Sequence, residues 1–331
     1  MSGARVEAAA RRGGDGAGEA KTVEGSKAMQ PLPDVAVQTT RTVNGRPYPT
    51  IEAGEGPLVV CLHGFPDNYE SYQHQIEPFV AAGYRIVCPM MPGFVPGTQP
   101  SSGSNTPVYA VSEIIALIEV LLNASGEKKC HLVGHDWGAL ISYMVAAERP
   151  ELLSSLACLS IPYNVNLQRV ILRCPSYAFG ASWYVSFFQL KGLADWWVKR
   201  NDFKFIDMLY RTWCPTWHEY DERVASTKET LKAPGVLKST LSYYRNSLFG
   251  LNRASFKFRR LFNGRISVPT LAIRGEVDGC IPEVAWEQMS PKSFRNGLTL
   301  EVMPGIGHFP QLEDPQWISE RLIGWIKQYS A

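Results

Sequence analysis

The chain has 331 residues, 45% hydrophobic and 19% charged, and its 33 basic and 31 acidic side chains leave a net charge of +2. This is globular material, enough for one large α/β domain with an insertion or for two smaller domains, and it gives no reason to expect a nucleic acid or an anionic membrane as partner. The seven cysteines are an odd number. Cys61, Cys88, Cys130 and Cys158 each fall in an apolar run and read as buried small hydrophobes, which argues against a disulfide framework and for a reducing, cytoplasmic setting. No apolar run predicts a membrane span, and the amino terminus lacks the apolar stretch of a signal peptide.

Residues 1–34 are rich in Ala, Gly and mixed charge. They predict a disordered extension, because they cannot bury enough apolar surface to offset the entropy of ordering. Residues 35–42 alternate as in a strand, and Asn44-Gly45 predicts a hairpin turn into a second strand at 48–51. A continuous apolar strand at 58–62 is followed by helical spacing at 72–80, a strand at 84–88 and an amphipathic helix at 111–122. The next strand and helix fall at 129–133 and 139–147, then a strand at 153–160. This alternation predicts a mostly parallel sheet with helices on both faces. It breaks over 163–263, a stretch dense in aromatics that reads as a mainly helical insertion. Strands return at 268–273 and 298–302, so 35–162 and 264–331 make one core. Asp314 as N-cap and Pro315 at the first helical position open a last helix, to about residue 329.

Between the strand at 129–133 and the helix at 139–147 lies Gly134-His135-Asp136-Trp137-Gly138. Strand, sharp turn and helix are the setting of a nucleophile elbow, whose glycines let backbones pass close while the central side chain stands out on a strained turn. Here that side chain is aspartate, where hydrolases usually carry serine. A carboxylate is ionised at neutral pH and attacks without a base; on saturated carbon it gives an alkyl ester rather than an acyl-enzyme. The pattern points to opening a strained or activated carbon–heteroatom bond. An acid and a histidine must follow, in that order, each on a loop after a later strand. His308, in Gly305-Ile306-Gly307-His308-Phe309, is the candidate base. Asp278, in Gly275-Glu276-Val277-Asp278-Gly279, is the candidate orienting acid, with Glu276 as its competitor. After the first long apolar strand, His63-Gly64-Phe65-Pro66 can aim the Phe65 N–H at the reacting centre, and the Trp137 N–H would be the second donor of an oxyanion hole.

The order and spacing of H-G-F-P, G-H-D-W-G, G-E-x-D and G-H-F resemble the α/β-hydrolase-fold epoxide hydrolases, close to the soluble type, over about residues 39–331. The resemblance implies the α/β-hydrolase fold, with 163–263 as a helical cap. It implies two cap tyrosines that hold the epoxide oxygen: Tyr184, where Tyr184-Val185-Ser186-Phe187-Phe188-Gln189 matches Y-x-x-x-F-Q, and Tyr244, where Tyr243-Tyr244-Arg245-Asn246 matches W/Y-Y-R-N. The implied reaction is detoxifying addition of water to a hydrophobic epoxide through an ester on Asp136, giving a vicinal diol, with no cofactor or metal. The pocket would be lined by His63, Pro66, Trp183, Phe187 and Phe309. One stretch departs from the family: Pro89-Met90-Met91-Pro92-Gly93-Phe94-Val95 lacks the Asp, Arg and second Gly of its R-G-x-G loop, which puts loop conformation or substrate fit in question. A haloalkane dehalogenase shares the Asp elbow and the Trp after it, but Phe65 stands where that family often has a halide-holding Asn. A fluoroacetate dehalogenase needs arginine where Trp137 and Leu140 stand. A catalytically silent binding protein is the alternative from another class. The sequence carries no signal of oligomeric state.

Overall fold

The computed structural model describes residues 32–101, 106–175, 183–247 and 253–330; the predicted extension lies almost wholly outside them. Among these residues eight strands form one sheet: β1 (Val37–Val43), β2 (Arg46–Ala53), β3 (Leu58–Leu62), β4 (Arg85–Pro89), β5 (Cys130–His135), β6 (Leu153–Leu159), β7 (Thr270–Gly275) and β8 (Leu298–Met303). Their order is β1-β2-β4-β3-β5-β6-β7-β8. The β1–β2 hairpin is antiparallel, as is β2 to β4, and the remaining neighbours are parallel. Asn44 and Gly45 turn the hairpin with φ of 49° and 74°, the left-handed pair that a two-residue turn needs to match the strand twist.

Period-two alternation divides the core. Leu58, Val60 and Leu62 join a cluster on one face, and Val59 and Cys61 a second cluster on the other. Every residue of β3, β5 and β7 is buried, which is why these strands read as unbroken apolar runs. The four cysteines placed in strands are buried and free.

In chain order the helices among the described residues begin with α1 (Ile76–Ala81), α2 (Thr106–Ser125) and α3 (Trp137–Glu148). Between β6 and β7 come α4 (Leu167–Arg173), α5 (Trp183–Phe187), α6 (Leu193–Trp213), α7 (Asp221–Lys232), α8 (Val236–Ser247) and α9 (Arg253–Phe262). The core then adds α10 (Glu283–Trp286), α11 (Pro310–Glu313) and α12 (Pro315–Lys327). Ile76 and Phe79 of α1 and Ile318, Leu322 and Ile326 of α12 cover one sheet face, while α2, α3 and the insertion bury their apolar sides in the cluster on the other. Asp314 caps α12 as expected, accepting from the Trp317 N–H at 3.1 Å.

Two expectations need correction. The segment read as one helix at 72–80 is a 3₁₀ turn over Tyr69–Gln75, capped by Asn68, leading into the shorter α1. The backbone bends at Tyr72, whose buried ring sends its hydroxyl to the Leu62 carbonyl at 3.2 Å; a tertiary hydrogen bond overrides the local period. In addition, α2 runs for 20 residues and is long and apolar enough to cross a membrane by length and composition, where no such run had been expected. Its residues Val111, Ile114, Leu117, Ile118 and Leu121 are buried in the protein core, which accounts for its apolar character.

Candidate active site

The parallel strands end at one level. Leu62 pairs with Gly134, Gly134 with Cys158, and Leu159 with Ile273. The segments that leave these ends therefore converge, as ligand-binding loops do at the carboxyl edge of a parallel sheet. Asp136 occupies the turn between β5 and α3 with φ 50° and ψ −119°, a conformation an L-residue adopts only under constraint from its surroundings. The glycines make the turn fit. A Cβ on Gly138 would lie 2.1 Å from the Leu62 carbonyl oxygen, and one on Gly64 would lie 2.4 Å from the Cβ of Asp136.

Asp136, His308 and Asp278 come together. His308 Nδ1 lies 2.9 Å from Asp278 Oδ2, and His308 Nε2 lies 3.6 Å from Asp136 Oδ2. The other Asp278 oxygen accepts from the N–H groups of Cys280 and Ile281 at 2.7 and 3.1 Å, so the carboxylate is fixed and the proton on Nδ1 is the one it orders. Burial disfavours the imidazolium, yet the charges of Asp278 and then Asp136 outweigh it and raise the His308 pKa to about 10. Glu276 is not in the cluster: its Oε2 accepts from the Gly305 N–H at 3.0 Å in an exposed loop.

Three groups outside the predicted set brace the histidine loop. Glu313 of α11 accepts from the N–H of Gly307 through Oε2 and of Phe309 through Oε1, each at 2.8 Å, clasping the backbone on both sides of His308. Burial raises the pKa of that carboxyl, against the two N–H donors that lower it. The Trp213 carbonyl, at the end of α6, accepts from His308 N–H and Gly279 N–H, both at 3.1 Å, and so ties the insertion to both loops. His135 donates through Nε2 to the His308 carbonyl at 2.8 Å; burial, with the His308 charge behind it, lowers its pKa to about 3 and keeps it neutral. Spacing alone does not reveal the Trp213 carbonyl and His135, which meet His308 only after the sheet is assembled; Glu313 reaches the loop locally, through the turn into α11.

The Phe65 N–H donates to Asp136 Oδ1 at 2.8 Å. Trp137 opens α3, so its N–H belongs to the first helical turn, which lacks intrahelical acceptors. Above them lie the insertion's aromatics. The Tyr244 ring centroid is 5.5 Å from that of Phe65, 5.1 Å from Trp137 and 5.8 Å from Tyr184. The Tyr184 hydroxyl meets Cys280 Sγ at 3.5 Å. A cavity of about 240 Å³ lined by Trp183, Tyr184, Met208, Leu209, Thr212, Trp213 and Gly279 abuts this group.

The residues expected to line a pocket divide. Trp183 lines the cavity, and Phe187 packs on it with ring centroids 5.5 Å apart. Phe309 is fully buried, its ring stacked on Tyr210 at 4.7 Å and edge-on to His308 at 5.4 Å. His63 is likewise fully buried. Its Nε2 accepts from the Met91 N–H at 2.9 Å, leaving Nδ1–H for the Gly64 carbonyl at 2.9 Å, and burial lowers its pKa to about 3. Pro66, also buried, follows a cis peptide bond. The atypical 89–95 loop is held by that His63 contact and by the Tyr243 hydroxyl, which donates to the Pro92 carbonyl at 2.7 Å.

The insertion also grips the Phe65 turn from the far side. Arg223 of α7, nearly buried, pairs with the buried Asp67 at 2.9 Å, and its Nη2 donates to Asn68 Oδ1 at 2.7 Å and Ser226 Oγ at 2.8 Å. Burial raises the Asp67 pKa despite the Arg223 charge.

Asp278, Cys280 and His308 bring potential ligand atoms within 4.8 Å of one another. The donor set does not suit a resident cation. Both Asp278 oxygens and His308 Nδ1 are engaged with each other or with backbone. Burial, reinforced by the nearby aspartates, pushes the Cys280 thiol pKa up and so disfavours the thiolate a metal would need.

An aspartate elbow after β5, an acid after β7 and a histidine after β8, all at the same edge of a mostly parallel sheet, define an α/β-hydrolase, and the family model for the alpha/beta hydrolase fold matches residues 57–315. The chain belongs to that family. Within it, the chain resembles epoxide hydrolases. It is 28% identical over 294 residues to Epoxide hydrolase 4 of Mus musculus, covering 86% of this chain and 77% of the relative. It is also 28% identical to Epoxide hydrolase 3 of Xenopus tropicalis, over 82% of this chain and 72% of the relative. An epoxide hydrolase structure from Vigna radiata superposes with a TM-score of 0.74 at 26% identity, covering 89% of this chain and 99% of that one.

Proposed function

We propose that the protein adds water to hydrophobic epoxides, giving vicinal diols, through a covalent ester on Asp136. The observation that carries this reading is the division of labour between the two oxygens of Asp136. Oδ1 is held by the Phe65 N–H, while Oδ2 faces His308. Oδ2 attacks a ring carbon in line and the C–O bond of the epoxide breaks. The Tyr184 and Tyr244 hydroxyls stabilise the developing alkoxide, which takes up a proton. Oδ1 becomes the ester carbonyl oxygen, already on the donor that will hold the next oxyanion.

Esterification removes the charge of Asp136, one of the two carboxylates that keep His308 protonated. The histidine then gives up its proton, which balances the one taken by the alkoxide, and becomes the base. Oriented by Asp278, it deprotonates a water that attacks Cγ of Asp136. The tetrahedral oxyanion on Oδ1 is held by the Phe65 and Trp137 N–H groups. The Cγ–Oδ2 bond breaks, Oδ2 takes the second proton of the attacking water, and the diol leaves with Oδ2, restoring the Asp136 carboxylate and the His308 imidazolium. A cytoplasmic setting, with its free buried thiols, belongs to the same proposal.

The test is His308→Gln treated with styrene oxide and analysed by intact-protein mass. A stoichiometric adduct on the Asp136 peptide is expected, with diol formation lost. An unmodified protein from His308→Gln, or diol formation by Asp136→Ala, contradicts the reading.

A further inference from the structure

The segment that opens α6 carries an apolar face turned to solvent. Leu190, Leu193, Trp196 and Trp197 are 51%, 51%, 55% and 45% exposed, while Ala194 and Val198, on the opposite side of the same turns, are buried. Contiguous exposed aromatics are uncommon on a protein that meets only water and mark a contact surface. The face is framed by positive charge. Lys191, Lys199, Arg200 and Lys204 are exposed, and the Arg200 guanidinium lies 4.7 Å from the Trp196 ring centroid and 5.4 Å from that of Trp197. The two acids of the segment are neutralised, Asp195 by Arg245 at 2.5 Å and Asp202 by Lys232 at 3.0 Å. The whole chain is near neutral, so its net charge conceals this local excess.

The apolar face is continuous with the cavity beside the elbow. Trp197 meets Phe187 at 6.3 Å, Phe187 meets Trp183 at 5.5 Å, and Trp183 lines the cavity with Tyr184.

We propose that this face docks on an anionic lipid bilayer, setting the Trp183 end of the cavity against the membrane interface. Tryptophan rings settle at the headgroup level, and Lys and Arg reach past them to lipid phosphates and carboxylates. A lipid surface accounts for aromatics, basic rim and cavity together. The docking stands on this surface alone. Its use, delivery of a lipid-dissolved epoxide, rests on the function proposed above.

The experiment mixes the full chain, without substrate, with phosphatidylcholine vesicles carrying roughly 30% phosphatidylserine, and reads cosedimentation and quenching of tryptophan emission by brominated acyl chains. Wild type is expected to bind, at least about fivefold more tightly than to phosphatidylcholine alone. Leu193→Ser/Trp196→Ser is expected to lose about tenfold in partitioning and most of the quenching, with unchanged melting temperature and unchanged diol formation from a water-soluble epoxide. Lys199→Glu/Arg200→Glu is expected to lose the preference for the anionic vesicles. Wild type that stays in the supernatant, or a Leu193→Ser/Trp196→Ser variant that binds as wild type does, overturns the proposal. So does a dimer seen by light scattering that the same double variant dissolves, because the occupant is then a second copy of the chain. Vesicle binding without diol formation refutes the assignment of Asp136 instead, and diol formation without vesicle binding refutes the docking.

Discussion

Glu313 gives a sharp test of how the histidine loop is held. Its two oxygens each accept a backbone N–H at 2.8 Å, one on either side of His308. Glu313→Gln keeps the shape but has one acceptor oxygen and turns an N–H₂ donor toward the second N–H. One charge-assisted hydrogen bond is lost, the other is weakened and a backbone donor is left unmatched, for a total of about 3 kcal/mol. In a domain of this size that corresponds to a fall in melting temperature of about 6 °C. The kinetic effect is expected to be selective. Attack by Asp136 does not use His308, so the rate of ester formation stays within about twofold, whereas ester hydrolysis needs Nε2 placed over the attacking water and falls about tenfold to a hundredfold. Rapid-quench single turnovers, with the alkylated protein followed by mass, read both steps. The ester should accumulate. Equal slowing of both steps, or an unchanged hydrolysis rate alongside a lowered melting temperature, refutes the reasoning.

The His308 pKa makes a pH prediction. Because it is raised from 6.5 to about 10 in the fold, the protonated form contributes stability that is complete below about pH 6.5 and is lost as pH rises through about 10. Asp278→Asn is expected to flatten this dependence in denaturant titrations at stepped pH; an unchanged slope contradicts it. In the alkylated protein the apparent pKa for ester hydrolysis should lie below that of the free protein, as pH profiles of the two single-turnover steps will show. Tyr184→Phe and Tyr244→Phe are each expected to slow ester formation about a hundredfold and leave ester hydrolysis nearly untouched; slowing confined to hydrolysis would remove them from the oxygen site. Arg223→Met strands Asp67 in the interior and is expected to cost about 3–5 kcal/mol, with most of it recovered on adding Asp67→Leu. Urea melts of the single and double variants decide, and a loss below about 1 kcal/mol in the single variant refutes a desolvated pair.

Local chemistry made much of this architecture legible. Asn44-Gly45 announced its hairpin because few other pairs take two left-handed residues. The strands buried on both faces announced themselves by apolar continuity, and Asp314-Pro315 announced α12. The elbow is visible because the Gly-x-Asp-x-Gly pattern is itself the steric requirement: Gly134 and Gly138 sit where no Cβ fits. Choosing between Glu276 and Asp278 required the fold, since both follow the same strand and only Asp278 reaches His308. The Trp213 carbonyl and Arg223 are illegible for the same reason, each acting on a loop distant in sequence, while Glu313 is near His308 in the chain and meets its loop only through the turn into α11. His63 and Phe309, motif neighbours of the reacting groups, are as fully buried as His308 itself.

The central claim is that Asp136 forms the covalent bond, and a single turnover in heavy-oxygen water tests it most directly. With protein in excess over epoxide, heavy oxygen is expected to enter the Asp136 peptide, and the first diol should carry the unlabelled oxygen that was Oδ2. Diol labelled from solvent, with Asp136 unlabelled, would mean that water attacks the epoxide itself and that the carboxylate is not the nucleophile.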